Sequence, residues 1–173
     1  MNLRIEIRTA ALPDVDAITE IYNEAILTTT ATFDVEPKTK ADRLAWFQSH
    51  GQRHPILVAL VDGQVVGWAS LSPYSDRSAY DDTAETSFYV KSEFRGRGIG
   101  RQLKAATIAE ARRLHFHTLL ARVAEGSEES LHLNASFGFT HVGTLKQVGR
   151  KFGRLLDVHL LQLILDESPS ERT

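Results

Sequence analysis

The most informative absence in this 173-residue sequence is cysteine, which does not occur at all. Disulfides, thiolate metal ligands and every mechanism that needs a cysteine nucleophile are therefore excluded. A large excess of one charge is absent too, because the sequence has 20 basic and 22 acidic side chains and a formal net charge of −2. We therefore expect neither nucleic acid nor an anionic membrane as a partner of the whole surface.

Long apolar runs are also missing. No window approaches the roughly 18 uninterrupted apolar residues of a membrane span, and the N-terminus MNLRIEIRTA lacks the apolar core of a signal peptide. We expect a cytoplasmic protein. The polar ending DESPSERT predicts a tail over residues 166–173. Nothing divides the rest, so residues 1–165 are expected to form one domain.

Hydrophobic patterning divides this domain into strands and helices. Pro13 and Asp14 mark a helix start, and the threonine-rich residues 27–32 predict a loop. Two β-branched runs joined by Asp62-Gly63 predict a hairpin, because Asp-Gly supplies the positive φ of a tight turn. The other predicted elements are strands at 3–8, 84–90, 117–124, 140–151 and 155–165 and helices at 39–52, 99–114 and 127–137. This order predicts an α/β domain with a mixed sheet and helices on both faces.

A glycine-rich turn, Arg95-Gly-Arg-Gly-Ile-Gly100, lies between the predicted strand 84–90 and the helix that begins near Ile99. Glycines at alternate positions let the backbone approach a ligand closely, and the helix N-terminus adds positive potential. Four cations gather at this place: Arg95, Arg97, Arg101 and Lys104. The turn therefore predicts a cradle for a pyrophosphate group.

A glycine-rich turn alone is also compatible with a helix start that only needs flexible residues. A P-loop fits poorly, because Gly100 is followed by Arg101 and Gln102. The dinucleotide fingerprint also fits poorly, since it normally lies in the first strand–helix unit. The R-x-x-G-x-G pattern of Arg95, Gly98 and Gly100 resembles instead the acetyl-CoA loop of the GNAT superfamily of N-acetyltransferases.

The resemblance to this superfamily covers residues 3–165. Its order of elements is reproduced, with Phe137-Gly-Phe139 at the end of the last helix. The resemblance implies the GNAT fold, an α/β (α+β) domain with a mixed, mostly antiparallel sheet of about seven strands flanked by four helices.

Two stretches, residues 77–90 and 147–157, are similar to segments of phosphinothricin and methionine sulfoximine acetyltransferases. This resemblance implies acetylation of the α-amino group of a glutamate- or methionine-like compound, with acetyl-CoA as the donor and a homodimer as the usual form. Because no cysteine can carry the acetyl group, we expect direct transfer in a ternary complex.

The attacking amine must be neutral, so the site needs a base. Glu85, on the strand that leads into the cradle, matches the glutamate proposed as the base of the family. A backbone N–H freed by a splay or bulge near Phe88 to Val90 would stabilise the oxyanion. The resemblance assigns acetyl-CoA to Phe88, Tyr89, Val90, Arg95, Gly96, Arg97, Gly98, Ile99, Gly100, Arg101, Ser127 and Ser130.

Two positions depart from the superfamily pattern. Ser127 stands where an Asn commonly binds the pantetheine, and it can still hydrogen-bond an amide. Asn134 stands where a Tyr or His can protonate the leaving thiolate, and an amide cannot donate a proton in that way. Tyr80 or another hydroxyl takes this role, or the thiolate, with a thiol pKa of about 8.5, leaves unassisted.

An amino acid with an anionic side group is best held by fixed cations. Within the two matched stretches, Arg77, Lys151 and Arg154 are the candidates for substrate binding, and Tyr80 and Phe33 are candidates for an apolar wall. Solvated surface charges are the alternative for each cation.

Other functions remain open from the sequence. His115 and His117 lack a third ligand at a useful spacing, so we expect no metal. A different amine, such as a protein N-terminus, a polyamine or an aminoglycoside, is the alternative substrate. A CoA-binding module without catalysis is the alternative from a different class.

Overall fold

A computed structural model describes residues 4–165 of the chain. Seven strands form one sheet in the order β1-β2-β3-β4-β5-β7-β6. The strands are β1 (Ile5–Thr9), β2 (Ile56–Val61), β3 (Gln64–Pro73), β4 (Thr83–Val90), β5 (Thr118–Ala124), β6 (Thr140–Lys151) and β7 (Arg154–Ile164). The α-helices are α1 (Val15–Thr28), α2 (Lys40–Ser49), α3 (Ile99–Arg113) and α4 (Glu128–Ser136).

Helices cover both faces of the sheet, because successive side chains of each strand point to opposite faces. On one face, Ile18 and Ile21 of α1 pack with Val58 and Trp68, and Trp46 of α2 joins them. On the other face, apolar side chains of α3 and α4 complete two further clusters, which contain Leu57, Ala59, Ile99, Leu103, Ile108, Leu119 and Leu131. The predicted mixed sheet with helices on both faces is therefore confirmed.

Most element boundaries lie within one or two residues of the predicted ones, and the differences at two helices have a clear cause. Helix α1 continues to Thr28, into the predicted loop, because the Thr28 and Thr29 hydroxyls donate to the carbonyls of Glu24 and Ala25. Helix α2 is shorter than predicted and begins after Thr39, whose side chain and that of Asp42 cap each other's backbone N–H. The start of the first predicted strand, at residue 3, and the predicted tail both lie outside the described residues.

The neighbours β4 and β5 are the parallel pair of an otherwise antiparallel sheet. Their pairing ends where Glu85 meets Leu120. Beyond that point β4 runs on to Val90 beside β3, while β5 runs on to Ala124 beside β7. A gap therefore opens in the middle of the sheet, and its walls are the second halves of β4 and β5.

Leu119, on β5, is fully buried in the core below this gap. We expect Leu119→Ala to lower the free energy of unfolding by about 2–5 kcal/mol, because the lost methyl groups leave a cavity. Leu12→Ala is the control, since Leu12 is 59% exposed and a surface change costs within about 0.5 kcal/mol. Urea unfolding measures both, and equal losses would contradict the core position of Leu119.

Candidate functional site

A cleft with a volume of about 670 Å³ starts at the glycine-rich turn. It passes along β4 between the end of α1 and the start of α4. A smaller chamber of about 60 Å³ continues it into the gap between β4 and β5. Cleft and chamber share the lining residues Ala31, Phe88, Tyr89, Ser127 and Ser130.

Seven of the residues predicted to hold acetyl-CoA line the cleft, and the other five belong to the turn before α3 or to its first residues. The seven are Phe88, Tyr89, Val90, Arg95, Gly100, Ser127 and Ser130. The five are Gly96, Arg97, Gly98, Ile99 and Arg101. The predicted cradle and the predicted strand segment are therefore brought together along one cleft.

Backbone conformation explains the glycines of the turn. Gly96 and Gly98 have φ values of +71° and +83°, which residues other than glycine rarely adopt. Gly98 is the N-cap of α3, so its conformation directs the helix N-terminus. At Gly100 a Cβ atom would lie 3.2 Å from the Phe88 ring, so a larger residue would press this ring outward.

The predicted cations of the turn differ in position. Arg95 lines the cleft and donates from Nε to the Val90 carbonyl at 3.0 Å. Arg97 lies over the Phe94 ring, with its Cζ atom 5.4 Å from the centroid. Arg101 donates to Ser136 Oγ at 3.2 Å. The side chain of Ile99 is buried in the core, so only its backbone can face a ligand.

The prediction that Lys104 contributes to the cradle is wrong. Its side chain is 2% exposed and extends under the sheet, where Nζ donates to Thr86 Oγ1 at 2.8 Å. In the sequence Lys104 lies only three residues after Arg101, which suggested that both belong to the cradle. In the structure position 104 lies on the face of α3 that is buried against the strands.

The backbone of β4 offers hydrogen-bond donors to the gap. Lys91 donates its N–H to Val66 of β3, so the N–H groups of Phe88 and Val90 point to the opposite side. The register between β3 and β4 is continuous, which means that the gap is a splay and contains no bulge. These two amides face the place from which β5 has moved away.

Glu85 stands where the gap begins, on the face of the sheet opposite to α3. Its neighbours Ala84 and Thr86 are buried toward α3, so Glu85 points to the α1 and α2 side. Burial raises the pKa of the Glu85 carboxyl above its ordinary value, and the Arg122 guanidinium, 3.3 Å away, opposes this shift. A carboxylate whose pKa is raised is a stronger base than an ordinary one.

Two of the predicted substrate residues, Arg77 and Tyr80, share a pocket with Arg122, the ion-pair partner of Glu85. Together with Arg122 they line a pocket of about 380 Å³, to which Asp76 also belongs. The Tyr80 ring packs edge-on against Tyr74 at 5.2 Å between centroids. The pocket therefore offers two guanidinium groups and an aromatic ring, and one of these guanidinium groups, that of Arg122, is paired with Glu85.

Lys151, Phe33 and Arg154 are not brought to this pocket. Lys151 is buried and donates to the Thr32 carbonyl at 2.7 Å. The Phe33 ring lies against Gly149 of β6, where a Cβ atom would collide with it. Both residues thus fasten the loop after α1 to the β6–β7 hairpin. Arg154 is exposed at the end of this hairpin.

Helix α4 contributes the far wall of the cleft with Ser127 and Ser130. Asn134, one turn after Ser130, is 1% exposed and lines the inner chamber with Lys104. Its Nδ2 donates to the Ser130 carbonyl at 2.8 Å, whereas Oδ1 has no partner among the described residues. A buried acceptor without a partner is costly, so the chamber is suited to a ligand that donates a hydrogen bond there.

Sequence reasoning missed several residues that line the cleft: Ala25, Phe94, Gly126, Glu128, Glu129, Leu133 and Phe152. It had placed a loop after α1 near the site, and Thr28, Thr29 and Thr30 do line the cleft. Phe152 lies within the matched stretch 147–157, but its position at the cleft depends on where the turn between β6 and β7 lies in the tertiary structure.

Within residues 4–165, no three His, Asp or Glu side chains are grouped closely enough to bind a metal ion. In the same part of the chain, no helix has the length and apolar character needed to cross a membrane.

A glycine cradle, a gap between two parallel strands and a partly buried carboxylate beside that gap define a domain that binds an extended anionic ligand through its sheet. The model of the acetyltransferase (GNAT) family matches residues 17–139, and the chain belongs to this family. The resemblance predicted from the Arg95–Gly100 turn is confirmed.

Similarity to individual proteins extends over nearly the whole chain. The L-methionine sulfoximine/L-methionine sulfone acetyltransferase of Pseudomonas paraeruginosa is 40% identical over 166 residues, which are 95% of this chain and 96% of that protein. A phosphinothricin acetyltransferase structure from Sinorhizobium meliloti in complex with acetyl-CoA has a TM-score of 0.93 and 33% identity, covering 99% of this chain and 93% of that one. A ribosomal-protein-alanine N-acetyltransferase structure from Brucella melitensis has a TM-score of 0.90 and 42% identity, covering 92% and 99%.

Proposed function

We propose that this acetyltransferase moves the acetyl group of acetyl-CoA directly to the α-amino group of a small amino-acid-like substrate of the phosphinothricin, methionine sulfoximine or methionine sulfone type. One observation carries the proposal: the cleft from the glycine cradle continues into the gap between β4 and β5, and this gap begins where the pairing of the two strands ends at Glu85. A relative that is 40% identical bears the name of a methionine sulfoximine and methionine sulfone acetyltransferase.

The residues along the cleft fit acetyl-CoA in their chemistry. Positive-φ glycines and the N-terminus of α3 suit the pyrophosphate, with Arg95 beside them. The inward N–H groups of Phe88 and Val90 suit the amide and thioester carbonyls, and Ser127 and Ser130 can hydrogen-bond the pantetheine arm. Acetyl-CoA supplies the activated acetyl group as a thioester.

Glu85 is the proposed base. An amino-acid amine is mostly protonated at neutral pH, and the raised pKa of Glu85 brings the carboxyl closer to the value that a base needs there. The side chain faces the α1 and α2 side of the sheet, so the amine would approach the gap from this side. Glu85 accepts the proton directly or through a water molecule.

Arg77, Arg122 and Tyr80 are the proposed substrate-binding residues. Guanidinium groups bind carboxylate and phosphinyl oxygens in bidentate geometry, and the pocket of about 380 Å³ has room for a side group of this size. Arg122 replaces Lys151 and Arg154 in our proposal, because the ammonium of Lys151 is already bound to Thr32.

A peptide N-terminus is the second candidate substrate, since a structure that is 42% identical is named a ribosomal-protein-alanine N-acetyltransferase. A thiol-release assay distinguishes the two. We expect CoA to form with phosphinothricin, methionine sulfoximine and methionine sulfone, and not with alanine-terminated peptides, polyamines or aminoglycosides. CoA formation with peptides alone would replace our substrate class, and tight acetyl-CoA binding without CoA formation would leave only a binding module.

We expect Glu85→Gln to lower kcat by about 10²–10⁴-fold at neutral pH, because the amine then loses its base. The ratio of wild-type to variant rates should shrink as the pH rises toward the pKa of the amine, since free amine then forms without a base. Calorimetric titration should give the same affinity for acetyl-CoA. Glu6→Gln is the control, because Glu6 is an exposed residue of β1. An unchanged kcat in Glu85→Gln would remove Glu85 from the mechanism.

A homodimer is also part of this proposal. The long strand β6 forms one edge of the sheet, and an exposed edge can pair with another chain. Six exposed apolar side chains accompany it on β6, on β7 and in their turn: Val142, Leu145, Val148, Phe152, Leu155 and Ile164. Burying them in a second copy explains their exposure in one chain. A cytoplasmic location fits the use of acetyl-CoA.

We expect sedimentation velocity to give a dimer at micromolar concentration. Val148→Asp should shift the equilibrium to the monomer, because a buried charge opposes association. Val35→Asp is the matched control, since Val35 is also exposed but lies between α1 and α2. A wild-type monomer, or equal effects of both changes, would contradict this interface.

A further inference from the structure

The inner chamber contains a buried amine that the mechanism above does not use. Lys104 reaches the chamber from the second turn of α3, and its ammonium lies 4.2 Å from the centroid of the Phe139 ring. Thr86 is its hydrogen-bond acceptor, and the Thr86 hydroxyl in turn donates to the Leu120 carbonyl at 3.3 Å. A lysine is rarely buried without an acidic partner, so this one calls for an explanation.

No carboxylate compensates Lys104 within the residues that line the chamber. The other charged or titratable side chains there are Arg122 and Tyr89. Arg122 turns to Glu85, and the Tyr89 hydroxyl donates to the Ala31 carbonyl at 3.5 Å. Glu128 and Glu129 of α4 line only the outer cleft. Burial therefore acts unopposed and lowers the pKa of Lys104 to about 7.

The position of the chamber also fits the proposed reaction, because the chamber continues the cleft into the gap between β4 and β5. The chamber begins beside the inward backbone N–H of Phe88, where the thioester would lie according to the proposed function. Glu85 and Lys104 approach it from opposite faces of the sheet, because Glu85 points away from α3 and Lys104 projects from α3. The unpartnered Oδ1 of Asn134 lines the same chamber.

We propose that Lys104 is the proton donor to the leaving sulfur of CoA, with Asn134 as a hydrogen-bond acceptor in the same chamber. This inference rests on the proposed acetyl transfer and supplies the acid that Asn134 itself cannot be. It replaces Tyr80, which lies in the pocket with Arg77 and does not line the chamber.

The proton balance of the step is complete. As the carbon–sulfur bond of the thioester breaks, its electron pair stays on sulfur, and charged Lys104 gives a proton from Nζ to that sulfur. The products are the CoA thiol and a neutral Lys104 amine, which regains its proton from water. On the other face the substrate ammonium gives its first proton through Glu85 to water, and the neutral amine then bonds to the carbonyl carbon. Glu85 keeps the second proton, which the nitrogen releases as this carbon–nitrogen bond forms. A thiol has a pKa of about 8.5, so a donor with a pKa near 7 transfers its proton downhill.

Lys104→Met tests the inference, because Met keeps the length and apolar packing of the side chain. We expect kcat to fall by about 10²-fold or more with little change in the KM for acetyl-CoA. Since transfer requires charged Lys104, wild-type kcat should decline as the pH rises through its pKa, and the variant should lose this decline. With the acetyl selenoester of CoA, whose selenolate leaves without a proton, the difference between wild type and variant should shrink.

Thr107→Val is the control on the same helix, since the Thr107 hydroxyl is buried and bonded to Leu103 of its own helix. It should leave the pH profile unchanged. If Lys104→Met does not fold, Thr86→Val is the second variant, because it removes the hydroxyl that accepts the hydrogen bond of Lys104. The decline of kcat should then occur at a different pH than in the wild type. An unchanged kcat in folded Lys104→Met, a decline that persists, or the same effect with the selenoester would overturn the inference.

A second measurement does not depend on acetyl transfer. Charged Lys104 should stabilise the thiolate of bound CoA, so the ultraviolet absorbance of the thiolate should titrate at lower pH on the wild type than on Lys104→Met. If the wild type acetylates no amine, the proposed function fails, while this titration still decides the position of Lys104. Equal titration on both proteins would place Lys104 away from the sulfur and refute the inference.

Discussion

The parting of β4 and β5 is the constraint on which the rest of the site depends. Two parallel strands that stay paired would satisfy each other's backbone groups and close the sheet. Here pairing ends at Glu85 and Leu120, and the amides of Phe88 and Val90 face an open gap. An extended ligand that offers amide groups can replace the missing strand, and for this reason our proposal places acetyl-CoA in the gap.

Because the gap passes through the sheet, its two faces can carry different chemistry. Glu85 stands on the α1 and α2 side, and Lys104 reaches the gap from α3. Burial drives both groups toward neutrality, and thus moves the carboxyl pKa up and the ammonium pKa down. The sheet keeps these two groups from forming an ion pair, which would cancel both shifts.

The loop between α1 and α2 depends on the other end of the chain. Lys151 and Gly149 hold it through Thr32 and Phe33, and its first residues form one wall of the cleft. The β6–β7 hairpin therefore shapes the cleft without contributing a charged side chain to it. The segment 147–157, in which Lys151 and Arg154 were candidates for substrate binding, therefore supports this loop, whereas Arg77 lines the pocket with Arg122.

Local chemistry was readable from the sequence alone. Alternation, the Asp62-Gly63 turn and the glycines before α3 predicted the elements, because such signals depend on neighbours in the chain. The R-x-x-G-x-G pattern predicted the family for the same reason. Tertiary structure alone decided which face each side chain occupies: it buried Lys104, turned Lys151 inward and joined Arg122 to Glu85. Those outcomes depend on strand register and helix packing, which bring together residues that are far apart in sequence.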